Sequence, residues 1–119
     1  MPSITVFHNP NCSKSRGACQ ILGERGVDFD AVQYLKTPPA RDEILALIDK
    51  LDDPPAALVR KDPYFKELGL DAGDYETPEA VADLLVEHPR LMERPVVVKG
   101  DTAVIGRPPE KVLELLEED

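Results

Sequence analysis

The first third of the chain alternates between strand and helix patterns. Residues 3–8 are rich in β-branched and aromatic side chains and end at Asn9-Pro10, which predicts a strand followed by a turn. Apolar residues then recur on one helical face over residues 13–25, with Gly26 placed to end the helix. Residues 29–35 predict a second strand. We therefore expect a β-α-β unit with parallel strands.

The middle of the chain predicts helices separated by prolines. Leucine and isoleucine recur at helical spacing over residues 41–51. Residues 56–59 and 64–69 predict shorter helical segments. Thr77-Pro78-Glu79 has the composition of a helix start, with a capping hydroxyl, a proline in the first turn and an acid behind it. The helix that follows is expected to end near Glu87, before a histidine-proline pair.

The last third predicts a hairpin and a helix. Residues 96–98 and 102–105 are short β-branched runs around a tight turn at Lys99-Gly100-Asp101. A proline-led helix is expected from Pro108 onward. The complete order is β-α-β, a helical segment, then β-β-α. These pieces predict an α/β fold with a four-stranded mixed sheet flanked by helices.

The length and the net charge of the chain exclude several classes of function. A chain of 119 residues fits one domain. Its 14 basic and 23 acidic residues give a net charge of −9, which argues against a general binder of nucleic acid or anionic membrane, because those partners need a basic face. An anionic substrate must therefore be captured by a local group of charges. No apolar run reaches the roughly 18–20 residues of a membrane span, and the first residues lack a signal-peptide pattern, so we expect a cytoplasmic protein.

Cys12 is the residue for which the sequence most strongly indicates chemical reactivity. The chain has two cysteines, too few for a disulfide scaffold, and a zinc site would need His8 and a carboxylate as well. Cys12 falls between a predicted strand end and a predicted helix start, where free N–H groups and the helix dipole stabilise a thiolate. Lys14, Arg16 and a protonated His8 would add positive charge. The alternative is a buried inert cysteine, but this setting favours a reactive one.

The sequence around Cys12 is C-x-x-S and so lacks a neighbouring resolving thiol. Cys19 is seven residues along the helix, about 10 Å away at 1.5 Å per residue. A disulfide needs Cα atoms within about 7 Å, so Cys12 and Cys19 cannot pair without local unfolding. We expect Cys19 to be a small core residue. The second electron pair of a redox reaction must then come from an external thiol.

Three arginines are candidates for binding an oxyanion: Arg60, Arg94 and Arg107. Arginine stays charged and offers a planar fork of donors that matches oxyanion geometry. For each of them taken alone, a solvated surface arginine is the default interpretation. His8 has two open interpretations, either tuning Cys12 or capping the end of a strand.

Four segments together resemble the ArsC-type, glutaredoxin-dependent arsenate reductases. They follow one another along essentially the whole chain: His8-Asn9-Pro10-x-Cys12-Ser13-x-Ser15-Arg16, Tyr34-Leu35-x-Thr37-Pro38-Pro39, His88-Pro89-x-Leu91-x-x-Arg94-Pro95-Val96-Val97-Val98 and Ile105-Gly106-Arg107-Pro108-Pro109-Glu110. The resemblance implies a thioredoxin-like fold in a single domain, 1–119. Its core would be residues 1–35 and 94–119, with a helical insertion at about 36–93.

The resemblance also implies roles for individual residues. Cys12 would be the nucleophile that attacks arsenic, His8 would assist its ionisation, and Ser15 would hydrogen-bond the thiolate. Pro95 would be the cis-proline beside the active site. Three arginines would bind the arsenate oxyanion: Arg60, Arg94 and Arg107.

The cycle implied by the resemblance uses thiols and no metal or bound organic cofactor. Cys12 attacks arsenate and displaces water or hydroxide, glutathione adds to the arsenic as co-substrate, and glutaredoxin removes that thiol as arsenite is released. The arginines would offset the oxyanion charge so that one anion can attack another.

The wider family leaves two other functions open. Some members are ArsC-like, glutathione-dependent thiol reductases that act on another substrate, and others are Spx-type regulators that bind RNA polymerase. Those regulators commonly carry a C-x-x-C redox switch, whereas this chain has C-x-x-S. The complete arginine set also favours an oxyanion substrate. We therefore expect an enzyme that reduces arsenate.

Overall fold

A computed structural model describes residues 4–116, so Ser3 of the predicted first strand and the acidic Glu117, Glu118 and Asp119 lie outside the described part of the chain. Four strands form one sheet: β1 (Ile4–His8), β2 (Phe29–Gln33), β3 (Val96–Lys99) and β4 (Thr102–Ile105). Their order is β2-β1-β3-β4. β1 pairs parallel with β2, while β3 is antiparallel to both β1 and β4. The predicted four-stranded mixed sheet and the parallel first pair are confirmed.

In the described part of the chain, five α-helices accompany the sheet: α1 (Ser13–Glu24), α2 (Arg41–Lys50), α3 (Pro63–Glu67), α4 (Pro78–Glu87) and α5 (Leu113–Leu116). Four 3-10 turns join them at Pro55–Leu58, Ala72–Asp74, Pro89–Leu91 and Pro109–Val112. The predicted cap of α4 is confirmed, because the Thr77 hydroxyl accepts a hydrogen bond from the Ala80 N–H at 3.2 Å. Within the described residues, no helix is both long and apolar enough to cross a membrane.

Two elements differ from the sequence expectation. β2 ends at Gln33 and not at residue 35, because the N–H groups of Lys36 and Thr37 both donate to the Gln33 carbonyl and close a turn there. Tyr34 is therefore released from the strand and is fully buried. The C-terminal helix begins as a 3-10 turn and becomes α-helical only at Leu113.

The sheet has a separate apolar cluster on each face, as the alternation of side chains along a strand requires. On one face, α1 and the C-terminal segment pack against β1 and β3 through residues such as Ala18, Leu22 and Val112. On the other, α2 and α4 form the larger cluster, with Tyr34 and Val96. The helices between β2 and β3 thus cover the face that α1 leaves open.

A short antiparallel pairing ties the middle segment to the start of β3. The Arg60 N–H donates to the Leu91 carbonyl at 2.6 Å, and the Glu93 N–H donates to the Leu58 carbonyl at 2.7 Å. Val59 and Met92 form the bridge between these two hydrogen bonds, and both are buried. This pairing places Arg60 beside the segment that leads into Arg94 and β3.

Candidate active site

Cys12 is the N-cap residue of α1, at the end of the loop that follows β1. Its extended backbone (φ −101°, ψ 123°) ends the loop, and its carbonyl accepts the first helical bond from the Arg16 N–H. The Cys12 N–H donates to the Asn9 carbonyl at 3.0 Å, and the Asn9 side chain accepts from the Asn11 N–H at 3.0 Å. Because Asn9 is only 8% exposed, it is a fixed point around which the loop turns. The Cys12 side chain itself remains partly exposed.

The surroundings of Cys12 favour its thiolate. Partial burial alone would raise the pKa, but the backbone N–H of Ser15, the Arg94 side chain and the backbone N–H of Lys14 outweigh it and lower the pKa from 9.0 to about 7. The two N–H groups belong to the first turn of α1, where no helical carbonyl is available to them. The thiolate of Cys12 is therefore far more accessible near neutral pH than that of an ordinary cysteine.

His8 and Ser15 form a hydrogen-bonded pair behind the Cys12 loop. His8 Nδ1 lies 2.6 Å from Ser15 Oγ, which also accepts a hydrogen bond from the buried Asn9 N–H at 3.0 Å. Ser15 thus faces Cys12 with its backbone N–H, while its hydroxyl is engaged by His8 and Asn9. Burial, with a smaller contribution from Arg16, lowers the pKa of His8, so the imidazole is neutral near pH 7.

The other residues expected near Cys12 are more dispersed. Arg16 is exposed, and its Nη1 donates to the Pro10 carbonyl at 2.8 Å, which braces the loop. Cys19 is a free thiol that packs partly buried against the α1 cluster, with Sγ 3.7 Å from His8 Nδ1. Burial raises its pKa, so Cys19 stays protonated at neutral pH.

Arg94 and Arg107 reach Cys12 from the two outer ends of the β3–β4 hairpin. Arg107 Nη1 lies 4.0 Å from Cys12 Sγ and donates to the Arg94 carbonyl at 3.0 Å. The Arg94–Pro95 peptide bond is cis, the geometry that the resemblance implies for Pro95. The Gly106 N–H donates to the Pro95 carbonyl at 2.8 Å, and a Cβ at Gly106 would lie only 2.8 Å from the Pro95 ring. Glycine at 106 therefore lets Arg107 approach the site.

Arg60 joins this group through a carboxylate. Its Nη1 lies 3.2 Å from Glu93 Oε1, and its Nε lies 3.1 Å from Asp62 Oδ2. Glu93 Oε1 is also 3.7 Å from Arg107 Nη1. We call Arg60, Arg94, Arg107 and Glu93 the arginine cluster. It concentrates positive charge beside Cys12 in a chain whose net charge is negative.

Two buried polar atoms at the site have no hydrogen-bond partner among the described residues: Tyr34 Oη and Arg94 Nε. Burial raises the pKa of the Tyr34 hydroxyl, and the nearby Arg94 guanidinium and Asn9 side chain counteract part of that shift. The Tyr34 oxygen therefore faces Arg94 from the protein interior. Within residues 4–116, no group of three or more histidine, cysteine, aspartate or glutamate side chains could hold a metal ion.

Comparison with known proteins shows the family to which this chain belongs. The sequence profile of the ArsC family matches residues 7–115. The chain belongs to the ArsC family. An arsenate reductase of Neisseria meningitidis is 42% identical over 118 residues, which cover 98% of this chain and all of that protein. An arsenate reductase of Escherichia coli is 41% identical over 98% of this chain and 82% of its own length.

A solved structure has a similar fold. The structure of an arsenate reductase from Vibrio cholerae superimposes with a TM-score of 0.85 at 39% identity, covering 95% of this chain and 97% of that one. This similarity confirms the α/β, thioredoxin-like fold that the resemblance implies.

The site around Cys12 contains two residues that the sequence interpretation missed. Tyr34 belongs to a motif that carries the resemblance. Because its neighbours in the chain predict a strand through residue 35, the sequence did not indicate that Tyr34 lies close to Arg94. Glu93 precedes Arg94-Pro95, and nothing in its spacing showed that it would lie between two arginines. The position of Tyr34 follows from the local turn that ends β2 early, and that of Glu93 from the pairing of residues 58–60 with 91–93.

Proposed function

We propose that this protein reduces arsenate to arsenite with Cys12 as the nucleophile. The observation that carries the proposal is a thiol with a pKa of about 7 at a helix N-terminus, with an arginine Nη1 4.0 Å from its sulfur. A thiolate is a good nucleophile, and guanidinium groups offer an oxyanion the charge and donors that it needs. The names of the Neisseria and Escherichia coli relatives support arsenate as the substrate.

In the proposed first step, the Cys12 thiolate attacks the arsenic atom of bound arsenate. A sulfur–arsenic bond forms, and an oxygen leaves as hydroxide or, once protonated, as water. The charges of Arg94 and Arg107 lower the repulsion between the thiolate and the oxyanion. Arg60 is proposed to bind an outer oxygen of the substrate, because Asp62 and Glu93 hold its guanidinium beside the other two.

The two reducing electrons are proposed to come from external thiols. Glutathione adds to the arsenic on Cys12 and displaces a second oxygen. A glutaredoxin thiolate then attacks the glutathione sulfur, a mixed disulfide forms, and the electron pair of the broken sulfur–arsenic bond reduces arsenic(V) to arsenic(III). Hydrolysis of the remaining Cys12–arsenic bond releases arsenite. We assign the reaction to the cytoplasm, where such thiols are kept reduced.

A coupled assay tests the proposal. Arsenate-dependent NADPH consumption should appear when the protein is mixed with glutathione, glutaredoxin and glutathione reductase. Cys12→Ser should abolish it. Cys19→Ser is the matched control and should keep most of the activity, because Cys19 is protonated and packs against α1. No turnover by the unmodified protein would overturn arsenate reduction, and an inactive Cys19→Ser that is still folded would overturn the single-cysteine mechanism.

A further inference from the structure

One carboxylate oxygen of the arginine cluster, Glu93 Oε1, lies close to several positively charged or N–H donor groups. Glu93 Oε1 lies 3.2 Å from Arg60 Nη1 and 3.7 Å from Arg107 Nη1, and it accepts a hydrogen bond from the Arg94 backbone N–H at 3.3 Å. Three donors thus converge on a single carboxylate oxygen. The Glu93 side chain is 19% exposed, so this oxygen is largely shielded from water.

The position of this carboxylate is built into the fold. Glu93 lies in the pairing of residues 58–60 with 91–93, where its own N–H bonds the Leu58 carbonyl. Its oxygen is fixed further by the N–H of the next residue, Arg94. Backbone hydrogen bonds therefore hold Glu93 beside the arginines, so its position does not depend on a freely moving surface side chain.

The same donors are the ones that an oxyanion at Cys12 would use. Arg107 Nη1 is shared by Glu93 Oε1, the Arg94 carbonyl and Cys12 Sγ, at 3.7, 3.0 and 4.0 Å. Any oxyanion that approaches this nitrogen has to share it with the carboxylate. Glu93 and Asp62 also offset part of the positive charge of the arginines, which lowers the attraction that an incoming anion meets.

We propose that Glu93 is an internal counter-anion that sets the affinity of the site for oxyanions, because its carboxylate and a bound oxyanion compete for the same donors of Arg60 and Arg107. The inference deepens the proposed function and rests on it for the identity of the substrate. Competition of this kind raises the KM of a substrate and leaves the chemical step at Cys12 largely unchanged, since it acts before the sulfur–arsenic bond forms.

Glu93→Gln isolates the charge of this side chain. Glutamine has the same size and keeps an oxygen that accepts from the Arg94 N–H, so the arginines keep their anchor while one negative charge is lost. Removing one charge a few ångströms from a partly exposed anion site should tighten oxyanion binding about five- to tenfold at low ionic strength. Asp83→Asn is the matched control, because Asp83 pairs with Arg41 on the surface at 2.6 Å.

The experiment measures how inorganic phosphate protects Cys12 from alkylation by iodoacetamide, followed by mass spectrometry of the Cys12 peptide. The half-protecting phosphate concentration should fall about five- to tenfold in Glu93→Gln and stay unchanged in Asp83→Asn. The KM for arsenate should fall by a similar factor, with kcat within about twofold of the unmodified protein. A half-protecting concentration that is unchanged or higher in Glu93→Gln, or no protection of the unmodified protein, would overturn the inference. The alkylation result does not depend on arsenate turnover, so it separates this inference from the proposed reaction.

Discussion

The Cys12 loop and the arginine cluster meet at one sulfur atom, but contacts of very different range hold them in place. The loop closes on itself through bonds between residues at most seven positions apart, such as Asn9 N–H to Ser15 Oγ and His8 to Ser15. In the cluster, Arg60 and Glu93 are 33 positions apart, and Arg107 is 95 positions from Cys12, which it contacts. Local geometry therefore places the backbone N–H groups that stabilise the thiolate, while the arginines that add to this stabilisation need the completed sheet and the middle helices.

Removing Arg94 should have the largest effect on this arrangement. Arg94 lowers the pKa of Cys12 both as a hydrogen-bond donor and as a charge, so in Arg94→Ala the pKa should rise from about 7 toward 9.0. Loss of a group that stabilises charge in the transition state costs about 10²–10³-fold in turnover, and we expect kcat/KM for arsenate to fall by that factor. The measurements are the pH dependence of Cys12 alkylation and steady-state kinetics.

The pH dependence of Cys12 alkylation shows the direction in which Arg94 shifts the Cys12 pKa. The Cys12 thiolate is present above its pKa and is lost as pH falls through it, so alkylation of the unmodified protein should fall below about pH 7. In Arg94→Ala the same fall should begin at higher pH. Arg90→Ala is the control, since Arg90 stacks on Tyr64 at 4.4 Å and should leave the profile in place. Equal profiles in all three proteins would show that the helix terminus alone sets the thiolate.

Ser15→Ala tests the local half of the site. It removes the hydroxyl that accepts from the buried Asn9 N–H, and an unpaired buried N–H costs about 1–3 kcal/mol of unfolding free energy. The pKa of Cys12 should stay near 7, because the backbone N–H of residue 15 is still present. Urea unfolding gives the first quantity and the alkylation profile gives the second. A large rise in the Cys12 pKa without loss of stability would show instead that the hydroxyl reaches the thiolate.

Tyr34→Phe should have the smallest effect and should separate stability from activity. Its hydroxyl is buried without a hydrogen-bond partner among the described residues, so its removal should leave the unfolding free energy unchanged or raise it by about 1 kcal/mol at most. Because the oxygen faces the Arg94 guanidinium, we expect the KM for arsenate to rise a few-fold as Arg94 becomes less well positioned. Tyr75→Phe, at a ring that packs on Phe65, is the control. A clear loss of stability with unchanged KM would make the Tyr34 hydroxyl purely structural.

The sequence was informative where the determining contacts are local. The strand before Asn9-Pro10 and the helix start after Cys12 are short-range signals, and they place Cys12 among free N–H groups as observed. The hairpin and the Thr77 cap were predictable for the same reason. The hydrogen bonds of the hairpin and of the Thr77 cap join residues that are close in the chain.

Prediction from the sequence was weaker where the orientation of a side chain depends on contacts that form only in the folded protein. The orientation of the Ser15 hydroxyl depends on His8 and on the buried Asn9 N–H, and C-x-x-S spacing does not contain that information. The place of Arg60 depends on the pairing of its segment with Leu91 and Met92. A pattern of charges along the chain cannot show that Glu93 would lie between two arginines, because that contact exists only after this pairing has formed.

The pairing register of β3 and β4 has a consequence for how the chain length can vary. Val96 pairs with Ile105, so Arg94 and Arg107 each lie two residues outside this same pair along the chain. An extra residue in the turn at Gly100-Asp101 would leave that match intact. An extra residue inside either strand would move one arginine by a step and turn its side chain to the opposite face. The lengths of β3 and β4 thus fix the positions of the two arginines relative to each other. We expect related sequences to tolerate insertions in the turn of the hairpin and to keep the lengths of both strands constant.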